Sequence, residues 1–168
     1  MEQNFLKPEN ISKEEKKIMS LEEFLVKAKV STYASGEEGR VLEDGAKELI
    51  FRQEEFIYRD RYYGFNHLGG QEVVFQNEKP IWVMNYHGGV PSNIINREEI
   101  KRIYEFLRKA LKQVREDKPC RGPEYFKEDD FEYFNEVEGD VHDFRGTEKI
   151  FYKGELVYEL EYNGGNIL

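Results

Sequence analysis

One cysteine, Cys120, stands among 168 residues, so no internal disulfide can form. It lies in a Lys-Pro-Cys-Arg-Gly-Pro turn without any metal-ligand spacing, which fits a reducing, cytoplasmic location most simply. Only three histidines occur, and none belongs to an HExxH pair. His67 and His142 follow Gly64 and Gly139 at the same spacing, in turns, so no metal is expected. There is no GxSxG element and no strand-GxGxxG-helix context, which argues against a serine nucleophile and a nucleotide site; no cofactor is expected. No basic and apolar leader and no long apolar run occurs, so the chain reads as soluble, with no membrane span. Lys and Arg number 25 against 34 Asp and Glu, a formal charge of -9 that repels phosphate backbones and makes nucleic acid an unlikely partner.

What is present is an aromatic-rich chain, 14% Phe, Trp and Tyr within 39% hydrophobic residues, enough for one domain with a core. A charged share of 35% is compatible with a thermophile surface. The stretch Phe56 to Gly89 recurs from Phe131 to Gly165. Phe56-x-Tyr58-x-Asp60-x-Tyr62-x-Gly64 matches Phe131-x-Tyr133-x-Asn135-x-Val137-x-Gly139. After one inserted residue, Gly70-x-Glu72-x-Val74-Phe75 matches Gly146-x-Glu148-x-Ile150-Phe151, and Ile81-Trp82-x-Met84-x-Tyr86-x-Gly88-Gly89 matches Val157-Tyr158-x-Leu160-x-Tyr162-x-Gly164-Gly165. Such a repeat is one supersecondary unit used twice.

Residues 1–19 read as a loosely held leader, and residues 20–168 as a single domain of two repeats, about 20–90 and 96–166. Ser20-x-x-Glu23 opens a predicted helix over 21–29, and Asn96-x-x-Glu99 another over 97–115, stopped by Pro119. Ser35 to Gly45 reads as a mobile loop. Alternation predicts strands near 47–52, 55–63, 71–76, 80–87, 131–138, 147–153 and 156–163, with an acidic run between Arg121-Gly122-Pro123 and Asp130 and a tight turn over Asn77 to Pro80. The expected class is α+β: an internally duplicated helix plus antiparallel meander, two helices packed on one curved antiparallel sheet.

The glycines repeated at 64/139, 70/146 and 88-89/164-165 suggest bends or turns. Glu72 and Glu148 share strand parity with Val74 and Ile150, so an inward carboxylate there must be paired. Asp60 faces the same problem, while Asn135 holds the matching place, which suggests that hydrogen bonding is common to both copies and ionisation special to the first. Bonding to tyrosine hydroxyls is the plainer role for these groups. The sharper reading is a ligand site formed by Asp60, Tyr62, Glu72, Trp82 and Tyr86, with Asn85 and His87 on the opposite face by parity.

Tyr58-Arg-Asp60-Arg-Tyr62-Tyr-Gly64, Gly70-Gln-Glu72-Val-Val-Phe75 and Pro80-Ile-Trp82-Val-Met84-Asn85-Tyr86-x-Gly88, with Arg121-Gly122-Pro123 and the second-half run to Gly165, resemble the signature of an uncharacterised domain family of bacteria and archaea. The resemblance covers about residues 20–167 and implies no chemistry. Some members of that family carry a helix-turn-helix regulator segment ahead of the domain; residues 1–19 are too short for one. The expected function is therefore unknown in detail. A non-enzymatic module binding a small molecule or a protein partner leads, ahead of an enzyme using Asp60 and Glu72 as an acid/base pair and of an oligomer-forming protein such as a homodimer.

Overall fold

A computed structural model describes residues 18–167, so most of the expected leader lies outside the described residues. Helix α1 spans Leu21–Ser31, and Ser20 caps it by accepting from the Glu23 amide at 3.1 Å. A single 3-10 turn, Tyr33–Ser35, follows. The strands are β1 Arg40–Val41, β2 Lys47–Gln53, β3 Phe56–Gly64, β4 His67–Gln76 and β5 Lys79–Gly89. After helix α2, Arg97–Leu111, come β6 Tyr125–Glu128, β7 Phe131–Asp140, β8 Asp143–Tyr152 and β9 Glu155–Asn166. The class is α+β, with all nine strands of the described residues in one antiparallel sheet ordered β1-β2-β3-β4-β5-β9-β8-β7-β6.

Four elements depart from the sequence expectation. The loop over 35–45 contains β1, and the acidic run before Asp130 contains β6; both are edge strands, too short and too charged to show a period of two. His67 opens β4 and is not part of a turn. Helix α2 stops at Leu111, because the amides of Gln113 and Val114 bond three residues back to Ala110 and Leu111 and tighten the chain into a turn well before Pro119.

The hairpin turns are narrower than expected too. Asn77 and Glu78 both take positive φ, 49° and 66°, as do Lys153 and Gly154 at 51° and 83°. Two such residues make the two-residue turn whose twist matches its strands, so Lys79 and Pro80 already pair with Gln76 and Phe75. Gly64 at the end of β3 and Gly139 one residue before the end of β7 lie in the left-handed region, at φ 88° and 87°.

One face of the sheet carries the core. Phe24 of α1 stacks on Phe56 at 4.9 Å, Phe106 of α2 stacks on Phe131 at 5.0 Å, and Tyr104 meets Tyr158 edge-on at 6.0 Å. Asn96 caps α2 by accepting from the amides of Glu98 and Glu99, and its apolar stripe of Ile100, Ile103, Leu107, Ala110 and Leu111 is buried. The opposite face is polar: Gln71 donates to Asn85 across β4 and β5, and the His67 and His87 rings lie 6.2 Å apart.

Candidate functional site: two buried polar networks and a cleft

Tyr62, Gly70, Tyr86, Tyr162, Gly146 and Val137 lie side by side in one row across six strands. A side chain on Gly70 would stand 2.6 Å from Cζ of Tyr86, and one on Gly146 closer still to the Tyr162 ring. Each tyrosine therefore lies flat over a glycine, and its hydroxyl passes beyond the neighbouring strand to the next one. Tyr86 donates to Asp60 at 2.6 Å, and Tyr162 donates to Asn135 at 2.7 Å. Gly70 and Gly146 sit in extended strand, so close approach of a ring, not the expected bend, accounts for them.

In the second half of the sheet the polar groups form a closed set. Glu148, fully buried, accepts from Nε of Arg121 at 3.1 Å, from a second Arg121 nitrogen, and from the hydroxyls of Tyr133 and Tyr158, both at 2.8 Å. Asn135 donates to the Gly122 carbonyl at 2.9 Å while it accepts from Tyr162. Burial works against the Arg121 charge, but Glu148 outweighs it and holds the guanidinium protonated, well above its ordinary range. Every group has its partner, which is the condition for such a network to stabilise a core.

The first half differs. Glu72 pairs with Lys29 of α1, whose ammonium also lies 5.9 Å from the ring centres of Tyr58 and Trp82, and the Tyr58 hydroxyl bonds Glu72. Asp60 stands directly opposite Glu72 in the β3–β4 register and is 4% exposed. Burial first, then the neighbouring Glu72 charge, pushes the Asp60 carboxyl up to about 7, against the Tyr86 hydrogen bond and the cations Lys29 and Arg121. The tyrosines around it, Tyr58 and Tyr86, are raised well above their usual value, by burial before the carboxylates, and remain neutral donors.

Asp60, Glu72, Tyr86, Arg121 and Tyr158 wall a chamber of about 30 Å³, room for roughly two water molecules. Tyr33, Tyr62 and Leu68 close it, and the same three side chains line an open cleft of about 270 Å³ between α2 and strands β2 to β4. Lys47, Phe65, Lys101, Tyr104 and Arg108 complete much of that cleft. Of the five residues expected at a ligand site, Asp60, Tyr62, Glu72 and Tyr86 thus converge on the chamber, and Tyr62 alone reaches both spaces. Trp82 does not line either; it is fully buried, donates Nε1 to the Val141 carbonyl at 2.8 Å and stacks on Phe144.

Reasoning from strands alone missed Lys29, Arg121, Tyr33 and Arg108, which come from helices and connections. Two signals were available: Lys29 follows Leu25 by one helical turn on the buried side of α1, and Arg121 belongs to the Arg-Gly-Pro element of the signature. Cys120 is buried, and burial pushes its thiol up to about 12, so no thiolate nucleophile is held there at neutral pH. Among the described residues no group of three His, Cys, Asp or Glu side chains is placed to hold a metal ion, and no helix is long and apolar enough to cross a membrane.

Neither the curated proteins nor the solved structures contain a significant match to the chain. Residues 60–167 match the Domain of unknown function (DUF5680), and the chain belongs to that family.

Proposed function

We propose that this DUF5680 member is a non-enzymatic binding module that receives a small ligand in the cleft between α2 and strands β2 to β4. The observation that carries the reading is the wall of Tyr33, Tyr62 and Leu68 that the cleft shares with the buried chamber. Tyr62 touches the ligand, Asp60, Glu72 and Tyr86 form the polar floor beneath it, and Trp82 supports the floor from the core by packing near Lys29. An acid/base role for Asp60 and Glu72 has less support, because both carboxyls are enclosed in a space of about 30 Å³, too small for a substrate.

An internal duplication underlies this arrangement. Its support is the register of β5 on β9, which sets Tyr86 directly against Tyr162, together with the equivalent glycine cradles and the inward order of strands from both edges of the sheet. Two repeats packed on one curved sheet then share a core, and function belongs to the polar groups that differ between them. A cytoplasmic location fits the single buried thiol.

Native mass spectrometry of protein purified from its own host tests the reading. A retained compound, released on denaturation and lost in a Tyr62→Ala variant, is expected. A bare mass, with no thermal shift across a metabolite library, would refute ligand binding, and a stable dimer that masks the cleft would favour assembly instead.

A further inference from the structure

Three cationic side chains meet in the cleft although the chain is acidic overall. Lys101, Tyr104 and Arg108 occupy one face of α2, spaced three and four residues apart, and Lys47 approaches from β2. Glu37 and Glu38, both exposed, also line the cleft, so cations outnumber carboxylates there while the whole chain stands at -9.

The partners of these groups are informative. Several surface cations are held by carboxylates: Arg61 by Glu48, Lys109 by Glu128, Arg145 by Glu138 and Lys149 by Glu159. Among the described residues Arg108, half-buried, and Lys47 have no ion pair, and Lys101 has only a loose one to Glu105 at 3.9 Å. The hydroxyls of Tyr33 and Tyr62 likewise donate to no group among the described residues. Both stay neutral: burial pushes Tyr33 up to about 12, outweighing Arg121 and Arg108, and raises Tyr62 as well. A half-buried guanidinium, two ammonium groups and two free hydroxyl donors share the cleft with the apolar surfaces of Phe65, Leu68 and Tyr104.

Resting on the binding role proposed above, we infer that the cleft recognises a small organic anion: a carboxylate or phosphate monoester held by Arg108 and Lys47, attached to a flat apolar body that lies against Phe65, Leu68 and Tyr104. A guanidinium presents a planar fork that fits either head group, and the cleft, smaller than the roughly 300 Å³ at which drug-sized sites begin, limits the body to a single ring. The unpaired donors are explained by the ligand's acceptors, and the aromatic walls by its ring.

The test uses the full chain, with phenylacetate and phenyl phosphate as anionic probes and phenylacetamide as the neutral isostere, titrated by NMR at two salt concentrations. At least one anion is expected to bind ten-fold or more tightly than the amide, to weaken with added salt, and to shift resonances of Tyr33, Tyr62, Phe65 and Tyr104. Arg108→Gln, which removes no ion pair and keeps a polar side chain of similar length, is expected to abolish the preference for the anion. Which anion binds better separates a carboxylate from a phosphate ligand. Equal binding of the amide would overturn the anion assignment and leave ligand binding standing. No shift with any probe would also overturn it, and the native mass spectrum then decides the binding role independently.

Discussion

Asparagine in place of Asp60 should make the protein more stable, and more so as the pH rises. In the unfolded chain an aspartate titrates near 3.8; in the fold Asp60 is pushed up to about 7 by burial and by Glu72 across the strand pair. Below about pH 4 the side chain is neutral in both states and its contribution is fully present. Between pH 4 and 7 the unfolded chain releases a proton that the fold retains, so this contribution is lost progressively, and above 7 it levels off. Moving the carboxyl from 3.8 to about 7 corresponds to at most about 4 kcal/mol, of which about 2.5 kcal/mol falls between pH 5 and pH 8. Asn135 shows that an amide fits: it accepts from Tyr162 as Asp60 accepts from Tyr86. In Asp60→Asn the new amide can donate to Glu72, which lies opposite, while Lys29 still balances the Glu72 charge. Urea unfolding of both proteins at pH 5 and pH 8 isolates this contribution, since titrations remote from Asp60 cancel in the difference. With a urea slope of about 2 kcal/mol/M, the variant's midpoint advantage should grow by about 1 M from pH 5 to pH 8. An advantage that is the same at both pH values, or a variant less stable at pH 8, would refute the assignment of Asp60 as the group held protonated.

Glu148→Ala should destabilise by about 3–5 kcal/mol, since it leaves the buried Arg121 charge and two tyrosine hydroxyls without their acceptor; a loss under about 1 kcal/mol in urea unfolding would contradict the closed network. Gly146→Ala should cost about 1–3 kcal/mol by crowding the Tyr162 ring and the Glu136 carbonyl, and in a Tyr162→Ala background the ring's share of that cost should disappear while the carbonyl's remains; strictly additive effects in the double-mutant cycle would count against the cradle. Trp82→Phe removes the bond to the Val141 carbonyl and leaves space in the core, for an expected loss of about 2–4 kcal/mol by thermal or urea unfolding; a neutral variant would mean that the indole is not held as described.

Much of the fold can be read from the chain because its strands are long, alternate cleanly and end in glycine or two-residue turns. Phe56, Tyr58, Asp60 and Tyr62 obey a period of two and lie on one face. The edge strands β1 and β6 escape such reading, since two and four residues cannot display a period. The glycines at 70 and 146 were legible as constrained positions but not as cradles, because the constraint comes from a tyrosine one strand away, and register is a tertiary property. For the candidate site, strand parity identifies Asp60, Glu72 and Tyr86 as inward; it is silent on Lys29 and Arg121, whose positions follow from where α1 and the loop after α2 dock. Trp82 was grouped with the site because an aromatic on the inward face of a strand looks the same whether it lines a cavity or fills a core.

The two polar networks, similar in their tyrosines and glycines, differ in ways that separate scaffold from site. Glu148 has four donors and Asn135 satisfies both ends of its amide, so the second network can be explained entirely by the need to bury polar groups without loss. In the first, an acid replaces the amide and a single lysine replaces the two-pronged arginine, leaving two carboxyls face to face with one hydroxyl bonded to Asp60. That arrangement is less favourable than the one across the sheet, and stability alone does not account for it, since an asparagine at position 60 would suffice. Its distinguishing feature is its position: both of its carboxyls line the chamber behind the Tyr33, Tyr62 and Leu68 wall of the open cleft, which the second network reaches through Arg121 and Tyr158 and not through a carboxyl. A charge that the fold holds close to its titration point, separated by one layer of side chains from a cleft lined with unpaired cations, will respond to whatever anion enters there, because the added negative charge disfavours ionisation of Asp60. Binding of an anion should therefore draw a proton onto the protein near neutral pH, and calorimetric titration in buffers of different ionisation enthalpy measures that uptake directly. Identical apparent enthalpies in all buffers would show that the cleft and the buried acid are not coupled.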